Sequence, residues 1–287
     1  GMRVSNSKFG MLLAVPGGIL LTLLIIIPLS LLIVIAFLQY DYINPVVFSG
    51  FKNFEAINDR VFWLSLQNTI VYTLGVTSVT CSVGVILASA TSRIKRFVGL
   101  FRTLIILPWA VPLIVSGLVW RWMLDPGVGV YSYMLMAIGL TEAPLDIFSN
   151  PDLAMMGVIL ADSWTKIPFM FVIVLAGIKS IPQDLYEVAR VDGANILQTF
   201  RRITLPLARR SMLLGLLITS MFSFRTIDVI WSMTRGGPGK ATYVIGYDLI
   251  DYLVQFTNMG YGSAVGIIIL LLTIAFAGPM LYYIAKE

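Results

Sequence analysis

Apolar residues in this chain gather into long continuous runs instead of alternating with polar ones. Six runs reach the roughly 20 residues that a helix needs to cross a hydrocarbon core: 11–38, 64–90, 104–124, 153–177, 212–233 and 262–284. A closed barrel would show segments of about ten residues with alternating polarity, and no such series is present. The pattern predicts an all-α membrane protein, a polytopic bundle of six transmembrane helices. The first run is longer than a signal-peptide core of about 7–15 residues, and no small-residue cleavage site follows it. It is expected to stay as an anchor.

Composition narrows the chemistry. Of 287 residues, 58% are hydrophobic and 12% charged, against about a quarter charged in an average soluble domain. There is no histidine and one cysteine, which excludes histidine-dependent catalysis, a disulfide framework and a cysteine zinc cluster. No catalytic residue, metal site or bound cofactor is expected. The positive-inside rule orients the bundle. Arg3, Lys8, Arg93, Lys95, Arg96, Arg102 and the many cations of 179–210 fall on one side, which places both termini in the cytoplasm. The net charge of +5 therefore reflects topology, and nucleic acid is not an expected partner. The predicted layout is a cytoplasmic tail (1–10), a first helix with its outer loop (11–63) and a core (64–287) that contains a long cytoplasmic loop (179–210).

That loop joins the fourth and fifth spans with roughly 34 residues, far more than most connections. Pro182 suits a first helical turn, and Asp184 and Glu187 suit its positive end. Leu185, Val188, Ala189 and Val191 form an apolar stripe at helical spacing. Gly193 is placed to stop that helix or turn it sharply. A second amphipathic stretch, Ile196, Leu197, Phe200 and Ile203, runs to Leu205-Pro206, where a break is expected. The residues alone leave two readings open: an amphipathic pair lying on anionic lipid through Arg201, Arg202, Arg209 and Arg210, or a docking element for a soluble partner.

Glu187-Val188-Ala189, Asp192-Gly193-Ala194, Phe200, Ile203 and Leu205-Pro206 resemble the EAA loop of ABC-importer permeases. Val188 departs from the usual alanine, and Arg209 and Arg210 stand where a proline often follows. Gly236-Gly237-Pro238, some forty residues on, is similar to the carbohydrate-importer branch, of maltose and glycerol-phosphate type. The resemblance covers about residue 64 to the C-terminus. It implies a permease subunit of a binding-protein-dependent importer of a sugar, oligosaccharide or polyol in a bacterial or archaeal inner membrane. Implied partners are a second homologous permease, two ATPase subunits that hold the ATP and magnesium, an extracytoplasmic solute-binding protein and membrane lipid. Glu187, Ala189, Asp192, Gly193, Ala194, Phe200, Leu205 and Pro206 would form the ATPase-coupling element, and Gly193→Asp or Glu187→Lys is expected to abolish coupling.

The chain carries no nucleotide engine. Around Gly239-Lys240, Thr234 occupies the upstream glycine position of a P-loop, and Ala241 stands where a hydroxyl should meet magnesium. Charges inside the spans are the remaining chemical signal. Asp162 and Lys166 are spaced i,i+4, and Arg225 and Asp228 i,i+3. Each pair reads either as a structural salt bridge or as the wall of a polar cavity. The family resemblance implies solute contacts at Asp162, Lys166, Phe169, Phe222, Ser223, Arg225 and Thr226. Most tryptophans, Trp109, Trp120 and Trp164 among them, read as an interfacial belt. Pro108, Pro112 and Pro168 read as kinks, and Cys81 as packing. The rival reading is an ion-coupled carrier with Asp162 or Asp228 as its proton site, which leaves the loop unexplained.

Overall fold

A computed structural model of the chain describes residues 6–94 and 96–286. Residues 1–5 of the expected tail, and Arg3 and Lys95 among the cations used for orientation, lie outside the described residues. Helix α1 (Asn6–Leu21) passes through a π turn (Thr22–Ile26) into α2 (Ile27–Ala36). Strands β1 (Leu38–Gln39) and β2 (Val47–Phe48) and a 3-10 turn (Lys52–Asn58) lead to α3 (Arg60–Arg93). Next come α4 (Val98–Ile106), a 3-10 turn (Leu107–Ala110), α5 (Leu113–Met123), α6 (Val130–Ala137) and α7 (Pro151–Lys179). The loop region holds α8 (Gln183–Val191), α9 (Ile196–Thr199), a π turn (Phe200–Thr204) and α10 (Leu205–Leu207). Then follow α11 (Arg209–Phe224), α12 (Asp228–Met233), α13 (Ile245–Ile250), a π turn (Asp251–Gln255) and α14 (Met259–Lys286).

Among the described residues, four helical stretches are long and apolar enough to cross a membrane: Ala14–Ala36, α3, α7 and α14. The count rises to six if each of two bent pairs is one span. The run 104–124 was expected to be one kinked helix, and it is two. Its axis turns by 99° between the Val98–Ala110 stretch and α5. Val111 is extended, with φ −82° and ψ 125°, because the ring of Pro112 clashes with a helical residue before it. The run 212–233 also divides. Helix α11 stops at Phe224 and α12 starts at Asp228, although no glycine or proline marks the place. The turn is held locally: the Thr226 hydroxyl donates to the Phe222 carbonyl (2.8 Å) and the Thr226 N–H to the Ser223 carbonyl (3.2 Å). In α7, by contrast, the helix continues through Pro168, and the first turn is capped by Asn150, whose side chain accepts from the N–H groups of Asp152 and Leu153.

The chain divides into two compact units, one made of the segment up to Phe62 with Leu249–Leu271, the other of Trp63–Asp248 with Leu272–Glu287. In the first, β1 and β2 pair antiparallel, Leu38 opposite Phe48 and Gln39 opposite Val47, a small exception to the all-α expectation. Asn53 fastens this corner by donating to the carbonyls of Ala36 (2.9 Å) and Leu38 (2.8 Å).

In the second unit, α7 is the central element, with 56% of its most apolar window buried. Met170, Phe171, Val174, Leu175 and Ile178 of α7 pack with Val85 and Ala88 of α3 and with Ala208. The buried stripe of α3 is rich in hydroxyls: Ser65, Thr69, Thr73 and Thr80 lie inside with Tyr72 and Val76. Lipid is as apolar as any core, so helices in a membrane associate through close packing and small or hydroxylated residues. Gly177 makes one such approach, since a Cβ there would sit 2.6 Å from Ser211 Cβ. Gly177→Ala is expected to destabilise the unit by about 1–3 kcal/mol through overpacking. Thermal unfolding of the purified chain in detergent checks this, with partial recovery expected on adding Ser211→Gly.

Candidate functional site

Two constructions in the larger unit bear on function: a cavity between helices and an exposed elbow. The cavity has a volume of about 450 Å³ and is walled by the broken helices, Trp109 to Leu113 on one side and Phe222 to Asp228 on another, with Thr165, Lys166 and Phe169 of α7 and Thr219 of α11 between them. The breaks create the space, because a continuous helix would fill it with its own backbone.

One wall is aromatic. Ring centroids step from Trp109 to Phe169 (6.2 Å) and from Phe169 to Phe222 (6.5 Å). Arg225 lies over the Phe222 ring at 5.3 Å, a cation–π contact. The other wall is polar. Lys166 pairs with Asp162, whose side chain is fully buried, and the Lys166 ammonium lies 3.4 Å from the Thr226 hydroxyl. Tyr72, also fully buried, sits beside Asp162. The ion pair joins two residues of one helix and orients the ammonium towards the cavity.

Of the seven expected solute residues, the structure brings Lys166, Phe169, Phe222, Arg225 and Thr226 to the cavity wall. Asp162 stands behind Lys166, and Ser223 is buried outside the wall. Arg225 and Asp228 form no ion pair within 4.0 Å, because the helix ends between them. Trp109, expected in the interfacial belt, lines the cavity, and Trp120 stacks on Tyr131 (5.7 Å) and meets Trp164 (6.2 Å). The Trp109 ring, in the 3-10 turn before the break at Val111, lies towards Phe169. Thr165, Thr219 and Leu113 carried no sequence signal.

The elbow spans residues 183–207. Helix α8 ends in a Schellman arrangement: the Gly193 N–H donates to the Arg190 carbonyl (3.2 Å) and the Ala194 N–H to the Ala189 carbonyl (2.9 Å). Gly193 has φ +74°, a left-handed conformation that glycine adopts without penalty. A Cβ there would meet no atom within 4 Å, so within this chain the glycine is required by the backbone angle and not by crowding. Asn195 then starts α9 with a reciprocal capping box to Gln198 (2.8 and 2.9 Å).

Leu205-Pro206 does not break the helix where expected. The π turn Phe200–Thr204 accommodates the missing N–H and the ring of Pro206, and the chain bends after Leu207, with 68° between Ile196–Leu207 and α11. On the outside of the elbow, Leu185, Val188, Val191, Ile196 and Leu197 are exposed, as are Glu187, Asp192 and Pro206. On the inside, Ala189 is buried, Ala194 and Leu205 are half-buried, and Phe200 packs against the α3–α7 core. The Tyr186 and Thr204 hydroxyls meet at 3.3 Å across the bend.

The Gly236-Gly237-Pro238 turn is bound to its neighbours. Thr242 donates to the Gly237 carbonyl (2.8 Å), and Asn68 of α3 donates to the carbonyls of Lys240 (2.9 Å) and Tyr243 (3.1 Å). The Thr69 hydroxyl accepts from the Ile245 N–H (2.8 Å), and Arg121 donates to the Met233 carbonyl at the end of α12 (2.9 Å). The turn holds no phosphate loop. It fixes α12 beside α5, where a Cβ on Gly117 would collide with Ser232.

Residues 81–286 match the family of binding-protein-dependent transport system inner membrane components. A probable ABC transporter permease protein of Pyrococcus horikoshii is 32% identical over 99% of this chain and 98% of its own length. The trehalose/maltose transport system permease protein of Thermococcus litoralis is 31% identical over 96% of this chain and 93% of its own. In fold, the chain is similar to a chain of a bacterial ABC transporter involved in import of the acidic polysaccharide alginate, with a TM-score of 0.80, 21% identity and coverage of 97% and 94%.

Proposed function

This chain belongs to the family of binding-protein-dependent transport system inner membrane components; it is the multi-pass permease subunit of an ABC importer and not an enzyme, and we propose that its cargo is a sugar, oligosaccharide or polyol. The observation that carries the cargo reading is the cavity between the broken helices. Its rings offer flat apolar faces to the C–H side of a sugar, while Lys166, Arg225, Thr226 and Thr165 offer hydrogen bonds to hydroxyls. Its volume, about 450 Å³, lies within the roughly 300–1,000 Å³ of small-molecule sites. Lys166 and Arg225 are matched in formal charge by Asp162 and Asp228, which favours a neutral, hydroxyl-rich solute over an anion. The name of the Thermococcus litoralis relative agrees with a sugar cargo.

The partners follow from the elbow. One chain supplies one elbow, and the ATPases of such importers act as two subunits that hold the ATP and magnesium; a second homologous permease supplies the other. The exposed apolar stripe and Glu187 enter a groove on an ATPase subunit in the helix-in-groove manner. Phe200, seated in the α3–α7 core, and the Tyr186–Thr204 contact carry its displacement to the membrane helices as rigid-body motion. An extracytoplasmic binding protein delivers solute to the opposite mouth. The chain sits in the inner membrane with both termini and the elbow in the cytoplasm, as its basic residues direct.

The test is reconstitution in vesicles of the complex pulled down from native membrane. Uptake is expected to require ATP, to survive an uncoupler, and to fall in the order neutral disaccharide, polyol, uronate. Uptake that collapses with the uncoupler and ignores ATP would end the coupling proposal. A preference for the uronate would overturn the neutral-solute assignment alone.

A further inference from the structure

A second cavity, of about 660 Å³, lies where the elbow meets the ends of α3 and α7. Its lining includes Arg93 and Lys179, from the last turns of α3 and α7, and Arg190 of α8. Between the cations stand neutral polar groups, among them Ser89, Gln183 and Asn195. Among the described residues, no carboxylate lines the space. Asp184 and Glu187 are on the same helix as Arg190, but the cavity takes the face defined by Gln183, Tyr186 and Arg190, at i, i+3 and i+7.

Arg93, Lys179 and Arg190 have no acidic side chain within 4.0 Å among the described residues. The Ser89 hydroxyl is buried and has no hydrogen-bond partner among the described residues. A cation in the last turn of a helix offsets the negative end of the dipole, and that accounts for one such residue on each helix. It does not account for three cations from three helices converging on one space, beside an unsatisfied hydroxyl and without a counter-charge. All three side chains are exposed to solvent, and an anion seated among them relieves the repulsion between like charges gathered around one space.

We propose that this cavity is a binding site for a phosphate-bearing anion, which clamps the elbow to the ends of two membrane helices. Arginine pairs and a hydroxyl suit the tetrahedral oxygens of a phosphate. Two sources share that chemistry, the headgroup of an anionic phospholipid and a free phosphate ion. Bound there, the anion bridges Arg190 of α8 to Arg93 and Lys179, and so stiffens the path by which the elbow moves the membrane helices. That consequence rests on the coupling role proposed above. The binding itself does not.

The experiment uses the purified full chain in a neutral detergent, without ATPase or solute. Melting temperature is followed against inorganic phosphate, and separately against phosphatidylglycerol with phosphatidylcholine as control, all at constant ionic strength. A saturable rise is expected with at least one of the two anions. A response to phosphatidylglycerol alone assigns the headgroup, and a response to inorganic phosphate assigns the free ion. Arg93→Gln/Arg190→Gln should raise the half-saturating concentration about tenfold or more, the scale of one lost charge-assisted contact. Arg93→Lys/Arg190→Lys, which keeps the charge, should bind within a few-fold of the parent. Lys179→Gln gives a single-site check should the double glutamine variant fail to fold. Arg201→Gln/Arg202→Gln, on the exposed side of the elbow, should leave the response unchanged. The site is refuted by the lack of any rise beyond that in chloride, or by equal weakening in the Arg201/Arg202 variant. Either result leaves the import reading standing.

Discussion

Replacing Lys166 by methionine should destabilise the chain by about 3–5 kcal/mol, the scale of removing one partner of a buried ion pair. Asp162 is fully buried, and without its ammonium it must either protonate or hold an uncompensated charge within the bundle. Asp162→Asn/Lys166→Met removes both charges at nearly constant volume and should bring thermal stability back to within about 1 kcal/mol of the parent, since a buried pair gains little over a well-packed neutral substitute. Transport should not return with it. The ammonium reaches the cavity beside Thr226, so the double variant should fold, keep its partners and lose uptake about tenfold or more, as expected for a lost polar contact to solute. Melting curves and vesicle uptake on the same preparations separate the two effects. A single variant as stable as the parent would show that the pair does not hold α7 together, and full uptake by the double variant would remove Lys166 from the solute site.

Gly193→Val should uncouple ATP hydrolysis from transport while the membrane core stays folded. The residue sits at φ +74°, where a side chain other than glycine costs about 1–2 kcal/mol, and a β-branched one more. Its Schellman bonds exist only with that angle, so valine unwinds the end of α8 and moves Val191 and Ile196 away from the docking face. The open space around the position also gives a ranking. Asparagine and aspartate tolerate left-handed geometry, so Gly193→Asn and Gly193→Asp should retain much more stimulation than Gly193→Val. For Gly193→Asp this replaces the complete loss of coupling expected from the sequence with a partial one. Glu187 is exposed on the elbow, and Glu187→Lys should cost little stability yet reverse the charge offered to the ATPase subunit. Solute-stimulated ATPase activity of purified complexes measures both. Wild-type stimulation by Gly193→Val and Glu187→Lys would remove the elbow from the coupling path.

Much of the elbow was legible in the sequence because its determinants are local. The glycine at the end of α8 and the apolar stripes at helical spacing act within a turn or two of chain, where residue type decides geometry; the equally local cap at Asn195 emerged only in the structure. Pro206 was the exception. A π turn five residues long absorbed it, and the bend moved to Ala208, which is buried in the α3–α7 core. The solute cavity was half legible. Lys166 and Arg225 stood out as charges in apolar runs, whereas Trp109, Thr165 and Thr219 look like any other residues of a membrane helix until the third and fifth runs break.

By itself the sequence determined that the chain is helical and spans a membrane, that it carries no nucleotide-hydrolysing machinery, and that it presents an EAA-type elbow. Those properties depend on run length, composition and turn chemistry, which are fixed along the chain. Tertiary structure decided where the long runs divide, which face of each helix is buried and which polar groups meet across helices. Hydropathy cannot supply that information, because in a bilayer the lipid-facing and protein-facing sides of a helix are both apolar. The break at Arg225–Ile227 is held by local bonds that no glycine or proline announces, and the three cations beneath the elbow are brought together by helices that are separate in the chain.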